Sequence, residues 1–270
     1  MIARKHGNVL IGTTLVATLG LTLLLTACSK LPKSPLQLPL KTATAKPEPT
    51  QPSTINVDVK DGGPVVLTTS AAEFQVTPDG YVQASLLKDG QKLSLDEPDV
   101  GAPADSDFVR VGGKDVHFTL DFEQAEVHEA IGKMGVGKRV EIPARPLGSS
   151  GTDLQRVLAL EVYDKFPNIL LSTVEYKNTG ASDVAIEKSV NQRRRLNARL
   201  GDAKAHPWGM WSFHGASYDW GKDDVVKLTP AFSQPNAFGE MVKGGYGGGI
   251  PVVAFWTRQV GEAVGHVETI

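Results

Sequence analysis

Short apolar runs separated by Asp-Gly and Gly-Gly steps dominate residues 55–120, and this pattern constrains the fold more than any other. Asn56-Val57-Asp58-Val59 alternates, and Asp61-Gly62-Gly63 separates it from Pro64-Val65-Val66-Leu67-Thr68. Phe74-Gln75-Val76 leads through Pro78-Asp79-Gly80 into Tyr81-Val82-Gln83-Ala84-Ser85-Leu86, and Asp89-Gly90 divides that run from Lys92-Leu93-Ser94-Leu95. Gly112-Gly113 stands between Phe108-Val109-Arg110-Val111 and Val116-His117-Phe118-Thr119-Leu120. These dipeptides supply the positive φ that tight hairpins require. Repeated at short spacing, they predict an antiparallel all-β sandwich or barrel.

Longer runs continue the pattern. Val157-Leu158-Ala159-Leu160-Glu161-Val162-Tyr163 and Ile169-Leu170-Leu171-Ser172-Thr173-Val174-Glu175-Tyr176-Lys177-Asn178 flank Phe166-Pro167-Asn168, and Val184-Ala185-Ile186-Glu187-Lys188-Ser189-Val190 follows. Residues 126–131 are the stretch considered for a short helix, and 192–200 is a second candidate; neither carries a convincing cap.

The N-terminus has a different grammar. Arg4, Lys5 and His6 precede an apolar run, residues 9–25, with no acid before it. A basic n-region followed by an apolar h-region is the layout of a secretory signal. The run ends in Leu25-Thr26-Ala27-Cys28-Ser29, which resembles the lipobox of bacterial lipoproteins. That resemblance implies cleavage after Ala27 and acylation of Cys28. One acyl chain binds a membrane only marginally, at about 0.8 kcal/mol per buried methylene, so several chains on one residue are needed for a lasting anchor. A single spanning helix is the competing reading, since the run is near the minimum length for one. Cys28 is the sole cysteine, so an internal disulfide is excluded. Ser29, where an Asp often retains lipoproteins at the inner membrane, favours the outer membrane of the bacterial envelope.

Residues 30–54 alternate Pro with Lys, Thr and Ser, as in Lys46-Pro47-Glu48-Pro49-Thr50-Gln51-Pro52, and read as an extended tether. The expected division is therefore a signal peptide at 1–27, lipidated Cys28 with its tether at 28–54, and a β domain at 55–270. Roughly 240 residues remain after cleavage, one large β domain or two small ones. The formal net charge is −2, and loss of Arg4 and Lys5 makes it more acidic. Such a chain has no general attraction for nucleic acid or anionic lipid, so membrane contact is expected through lipid alone.

Several motifs fail on inspection. Gly132-Lys133-Met134-Gly135-Val136-Gly137-Lys138-Arg139 nearly spells a phosphate-binding loop, but Arg139 stands where a magnesium-ligating hydroxyl belongs, and Val140-Glu141-Ile142-Pro143 reads as a strand ending at proline. Gly244-Gly245-Tyr246-Gly247-Gly248-Gly249 lacks the dinucleotide spacing and suits a close backbone approach instead. His206, His214 and Glu268 form no metal signature, and no metal or other cofactor is expected. Arg193-Arg194-Arg195 is a charge run, expected on a solvated face. On a strand, alternation would set Arg194 opposite to its two neighbours; the alternative to a solvated face is a specific carboxylate or partner contact.

The strongest local feature is aromatic. Trp208, Trp211, Phe213, Tyr218 and Trp220 fall in one short window beside Asp219, and Tyr246 and Trp256 come later. Aromatic faces stack on the C–H faces of sugars while polar neighbours pair with hydroxyls. Filling a sandwich core is the equal alternative for these rings.

At these residues the sequence resembles a known family. Trp211-Ser212-Phe213-His214-Gly215-Ala216-Ser217-Tyr218, the run from Lys243 through Gly249 to Val253, and Val260-Gly261-Glu262-Ala263-Val264-Gly265-His266-Val267-Glu268 are similar to blocks in the N-terminal domain of glycoside hydrolase family 36, the bacterial α-galactosidases. Glu161-Val162-Tyr163-Asp164-Lys165-Phe166-Pro167 and Tyr176-Lys177-Asn178-Thr179-Gly180 also resemble it, so the likeness spans residues 55–270. It implies an antiparallel β-supersandwich of galactose-mutarotase-like architecture, incomplete at its C-terminal end. It further implies a following (β/α)-barrel that carries the two catalytic aspartates of a retaining hydrolase. The 270 residues include no counterpart of that barrel, so no residue is expected to be catalytic and the chain alone is expected to be inactive. The expected sugar contacts are Trp211, Phe213, Tyr218, Asp219, Trp220, Tyr246 and Trp256. The expected partners are α-galactoside oligosaccharides, the membrane through Cys28, and a separate catalytic barrel or a homo-oligomer. A stand-alone galactoside-binding surface lipoprotein is the alternative. A mutarotase-like epimerase, with His206, His214 and Glu268 as acid and base by residue type, is a third reading.

Overall fold

The computed structural model describes residues 2–3, 10–17, 52–96, 107–147, 153–202, 204–213, 225–233 and 252–267. Among these the fold is all-β, with two antiparallel sheets and, apart from one short 3-10 turn at Phe122–Gln124, no helix. No helix of the described residues is long and apolar enough to cross a membrane. The N-terminal strands are β1 (Ile2–Ala3) and β2 (Leu10–Ala17).

The smaller sheet is a meander of β3 (Asn56–Val59), β4 (Val65–Thr68), β5 (Ala72–Val76), β6 (Val82–Lys88) and β7 (Gln91–Leu93), each paired with the next. The turns stand where the dipeptides put them. Asp89 and Gly90 join β6 to β7 with φ of 51° and 74°, the two successive positive values that a tight hairpin needs.

The larger sheet collects β8 (Phe108–Val111), β9 (Lys114–Leu120), β10 (Glu126–Gly132), β11 (Gly135–Pro146), β12 (Leu154–Tyr163), β13 (Phe166–Asn178) and β14 (Val184–Val190). It continues through β15 (Trp211–Phe213), β16 (Val225–Lys227), β17 (Val252–Trp256) and β18 (Gly261–Val267). Its order is β1-β14-β8-β9-β11-β12-β13-β2-β18-β17-β15-β16, with β10 beside β11.

Alternation drives the two sheets together. Val65, Leu67, Phe74, Val76 and Val82 of the meander are fully buried against Val140, Ile142, Leu158, Leu160 and Leu170 of the larger sheet, in one continuous core. Burying each such side chain contributes about 1.5–3 kcal/mol, and intervening residues stay half-exposed because a strand's period is two.

Two stretches weighed for helix, and one strand expected to stop at proline, resolve in the structure. Residues 126–131 are strand, not helix: β10 pairs in register with β11 from Glu126↔Glu141 to Gly132↔Gly135. Lys133 and Met134 of the glycine-rich segment are therefore the hairpin turn, and residues 135–139 open β11. Second, no helix forms at 192–200, where Leu196 bridges Asp96. Third, the strand does not stop at Pro143. β11 hands over from β10, which ends opposite Glu141, to β9, which begins opposite Ala144. Pro143 lies in that gap. Its carbonyl accepts from Asp121 N at 2.8 Å, so its missing N–H would face the same side, where no ladder bond is required.

The apolar run read as an h-region contributes β2. It lies antiparallel to β13, from Ile169↔Ala17 to Tyr176↔Leu10, and antiparallel to β18, from Ala263↔Ala17 to Val267↔Thr13. The outer strands β18, β17, β15 and β16 join the rest of the sheet through it.

Candidate functional site

The outer strands bring together three of the expected aromatic residues. β15 pairs with β17 so that Trp211 opposes Trp256 and Phe213 opposes Ala254. Opposed residues share a face with Cβ atoms about 4.5–5.5 Å apart, and residues two apart on a strand share it too. Trp211, Phe213 and Trp256 thus form one strip, and each is half-buried. Exposed Val225 and Lys227 of β16 flank it, opposite Phe213 and Trp211. Gly261 opposes Trp256 from β18, and a Cβ there would meet Trp256 Cβ at 2.9 Å. A bare backbone at 261 is what leaves room for the Trp256 side chain.

Alternation sends Ser212 the other way, onto the face shared by Phe255 and Glu262, which oppose each other. There the chain builds a buried ionic cluster. Arg194 Nη2 lies 2.5 Å from Glu262 Oε1 and 3.0 Å from Asp96 Oδ2. Asp96 also accepts from the Tyr81 hydroxyl, and from Ala84 N at 2.7 Å. The guanidinium lies 5.0 Å from the centre of the Tyr81 ring and donates to the Val82 carbonyl. One cation therefore serves two carboxylates, and Asp96 holds the larger share of donors. Glu262 is left as the group that keeps a proton. Burial, only partly opposed by Arg194, pushes it up to about 8 from 4.5. Burial also pushes the Tyr81 phenol far above its usual range.

Sequence reasoning missed this cluster. The run Arg193-Arg194-Arg195 is not a uniformly solvated face. Arg193 and Arg195 are exposed, but the Arg194 side chain is only 7% exposed. Residues 193–195 form no strand, so the alternation noted in the sequence describes the outcome, one side chain turned away from its two neighbours, but not its cause. Asp96 and Glu262, distant along the chain, could not be identified from it as the partners.

A second buried pair lies beside Gly80, where a Cβ would meet Arg156 Nη1 at 3.1 Å and Asp107 Oδ2 at 3.3 Å. Arg156 and Asp107 bond to each other, both nearly inaccessible, and burial raises Asp107 from 3.8 to about 6. Gln192 links the two clusters, accepting from Val82 N at 3.1 Å and donating to the Gly80 carbonyl at 2.8 Å.

Of the other expected residues, His206 stacks on Trp208 with ring centres 5.3 Å apart. Tyr218, Asp219, Trp220, Tyr246, His214, Glu268 and Cys28 lie outside the described residues. Among the described residues no three His, Cys, Asp or Glu side chains gather to hold a metal ion. The strip offers flat apolar surface suited to the C–H face of a sugar. The ionic cluster is inaccessible and joins the outer strands to the meander. No family model matches the chain, and no curated protein matches it.

Proposed function

We propose that the chain is the sugar-side domain of a lipid-anchored, α-galactosidase-like glycoside hydrolase of the cell envelope. In this reading it contacts α-galactosides through Trp211, Phe213 and Trp256, and the catalytic aspartates reside on a separate barrel. The observation that carries it is the in-register pairing of Trp211 with Trp256, with Phe213 on the same face. Two residues of the family-like block that begins at Trp211 thereby share one half-buried surface with Trp256, which lies between the other two long blocks. The sequence blocks and the lipobox supply the rest of the argument.

The test has two arms. The purified chain should not hydrolyse an aryl α-galactoside, and a family barrel added in trans should restore turnover. Hydrolysis by the chain alone would overturn the division of labour. Titration with melibiose or raffinose should change tryptophan fluorescence; a flat response at millimolar sugar would remove the aromatic strip from the binding surface. Binding without rescue by any barrel would favour the stand-alone galactoside-binding lipoprotein.

A further inference from the structure

The outer face of the meander carries a cleft that the aromatic strip does not use. Gln75 of β5 directly opposes Gln83 of β6, and Glu73 opposes Ser85. Alternation points all four away from the core, where Phe74, Val76 and Ala84 are buried. Residues 197–201 pass over this face, held by Asn197 N on the Leu95 carbonyl at 2.8 Å and by the bridge between Asp96 and Leu196. The cleft between them has a volume of about 350 Å3, and its polar lining includes Gln75, Gln83, Ser85, Lys92, Asp96 and Asn197. Small-ligand pockets begin at about 300 Å3.

Its charges are already matched. Lys92 pairs with Glu73 at one edge, and Asp96 is held by Arg194 at the back. What faces the cleft otherwise is neutral: the carboxamides of Gln75, Gln83 and Asn197, the last already accepting from Arg199 N at 2.9 Å, the buried hydroxyl of Ser85, and the apolar side chains of Leu93 and Leu200. Each such group can both donate and accept, the same dual capacity that a sugar hydroxyl has. A phosphate or carboxylate would find a lone cation already engaged. Leu93 and Leu200 suit the C–H face of a ligand, but a wholly apolar one would leave the carboxamides desolvated and unpaired. With no aromatic ring in the lining, orientation would come from hydrogen bonds alone, which sets a weak affinity.

We propose that the cleft between β5, β6 and residues 197–201 binds a neutral polyhydroxylated ligand, a mono- or disaccharide, at a site separate from Trp211 and Trp256. The proposal does not depend on the α-galactosidase reading.

The experiment is an NMR titration of the 15N-labelled full chain, following the side-chain amide signals of Gln75, Gln83 and Asn197. Melibiose and inorganic phosphate are the two probes. Melibiose should shift those signals and saturate in the millimolar range, and phosphate should not. Gln83→Ala should weaken the response about fivefold, the worth of one hydrogen bond. Trp211→Ala should leave it unchanged. Should Gln83→Ala lose its native backbone spectrum, Asn197→Ala on the overlying loop takes its place. The proposal is overturned if melibiose moves only tryptophan indole signals, if phosphate moves the cleft signals more than melibiose does, or if neither probe moves them. Its failure leaves the fluorescence and rescue tests of the proposed function untouched.

Discussion

Arg194 and Glu262 meet at 2.5 Å with both side chains buried, and this contact fastens the outer strands of the larger sheet to the meander that holds Asp96. The cluster carries one cation and two carboxylates, so its ionisation governs how stability varies with pH. Unfolded, Glu262 titrates near 4.5; folded, it titrates at about 8. Between these values the folded chain keeps a proton that the unfolded chain has released. The stabilisation is complete below 4.5 and is lost as pH rises through 8. Asp107, raised to about 6 from 3.8, adds a loss of the same sign over a lower window. Denaturant midpoints should therefore fall between pH 5 and pH 9, and Glu262→Gln should flatten the upper part of that decline.

Removing the cation should be far worse than neutralising the acid. Arg194→Leu leaves Asp96 and Glu262 buried without their shared partner, a defect that costs about 3–5 kcal/mol. Urea unfolding at pH 7 would measure it. A loss below about 1 kcal/mol would mean that solvent reaches the cluster.

Gly80 is a second sensitive point. Its φ is 86°, and a Cβ would approach Arg156 Nη1 to 3.1 Å and Asp107 Oδ2 to 3.3 Å. Gly80→Ala combines left-handed strain with crowding of a buried ion pair and should destabilise by about 1–3 kcal/mol. Thermal unfolding compared with Gly90→Ala separates the two causes. Gly90 has φ 74° but open space around its Cβ position, so it carries the strain alone.

At the aromatic strip, Gly261→Val should displace Trp256, whose Cβ lies 2.9 Å from the position a new Cβ would take. The expected result is a shifted tryptophan emission and a weaker sugar response with the meander core intact. An unchanged emission spectrum would show that β18 and β17 separate to accommodate the valine.

The turns were legible because their information is local: Asp89-Gly90 needs only its own two residues to specify positive φ. The strand at 126–132 was not, because its alternation is weak. Val127 and Ile131 are 42% and 69% exposed, so pairing with β11, and not a buried face, determines its conformation. Pro143 misled for a related reason. Its tolerance depends on where two neighbouring strands end, which no window around the proline contains. The aromatic strip was legible as composition, and Trp211 and Trp256 proved to be opposed. That Ser212 faces the other way, toward Glu262, follows from strand alternation once β15 is known to be a strand. Arg194 hid in a run of three like residues whose burial differs from one to the next.

The strand Leu10–Ala17 has a consequence for the order of events in the cell. Under the lipoprotein reading, the same residues serve as the apolar core of a signal in transit through a secretion channel. They cannot lie there and between β13 and β18 at once. Export and folding would then compete for one segment, and a chain that folds first would bury its own passport. Cleavage before Cys28 would later leave β13 and β18 about 10 Å apart with their facing edges unpaired, two strand spacings with nothing between. Timing, as much as sequence, would then decide which of two sheet topologies the finished protein has.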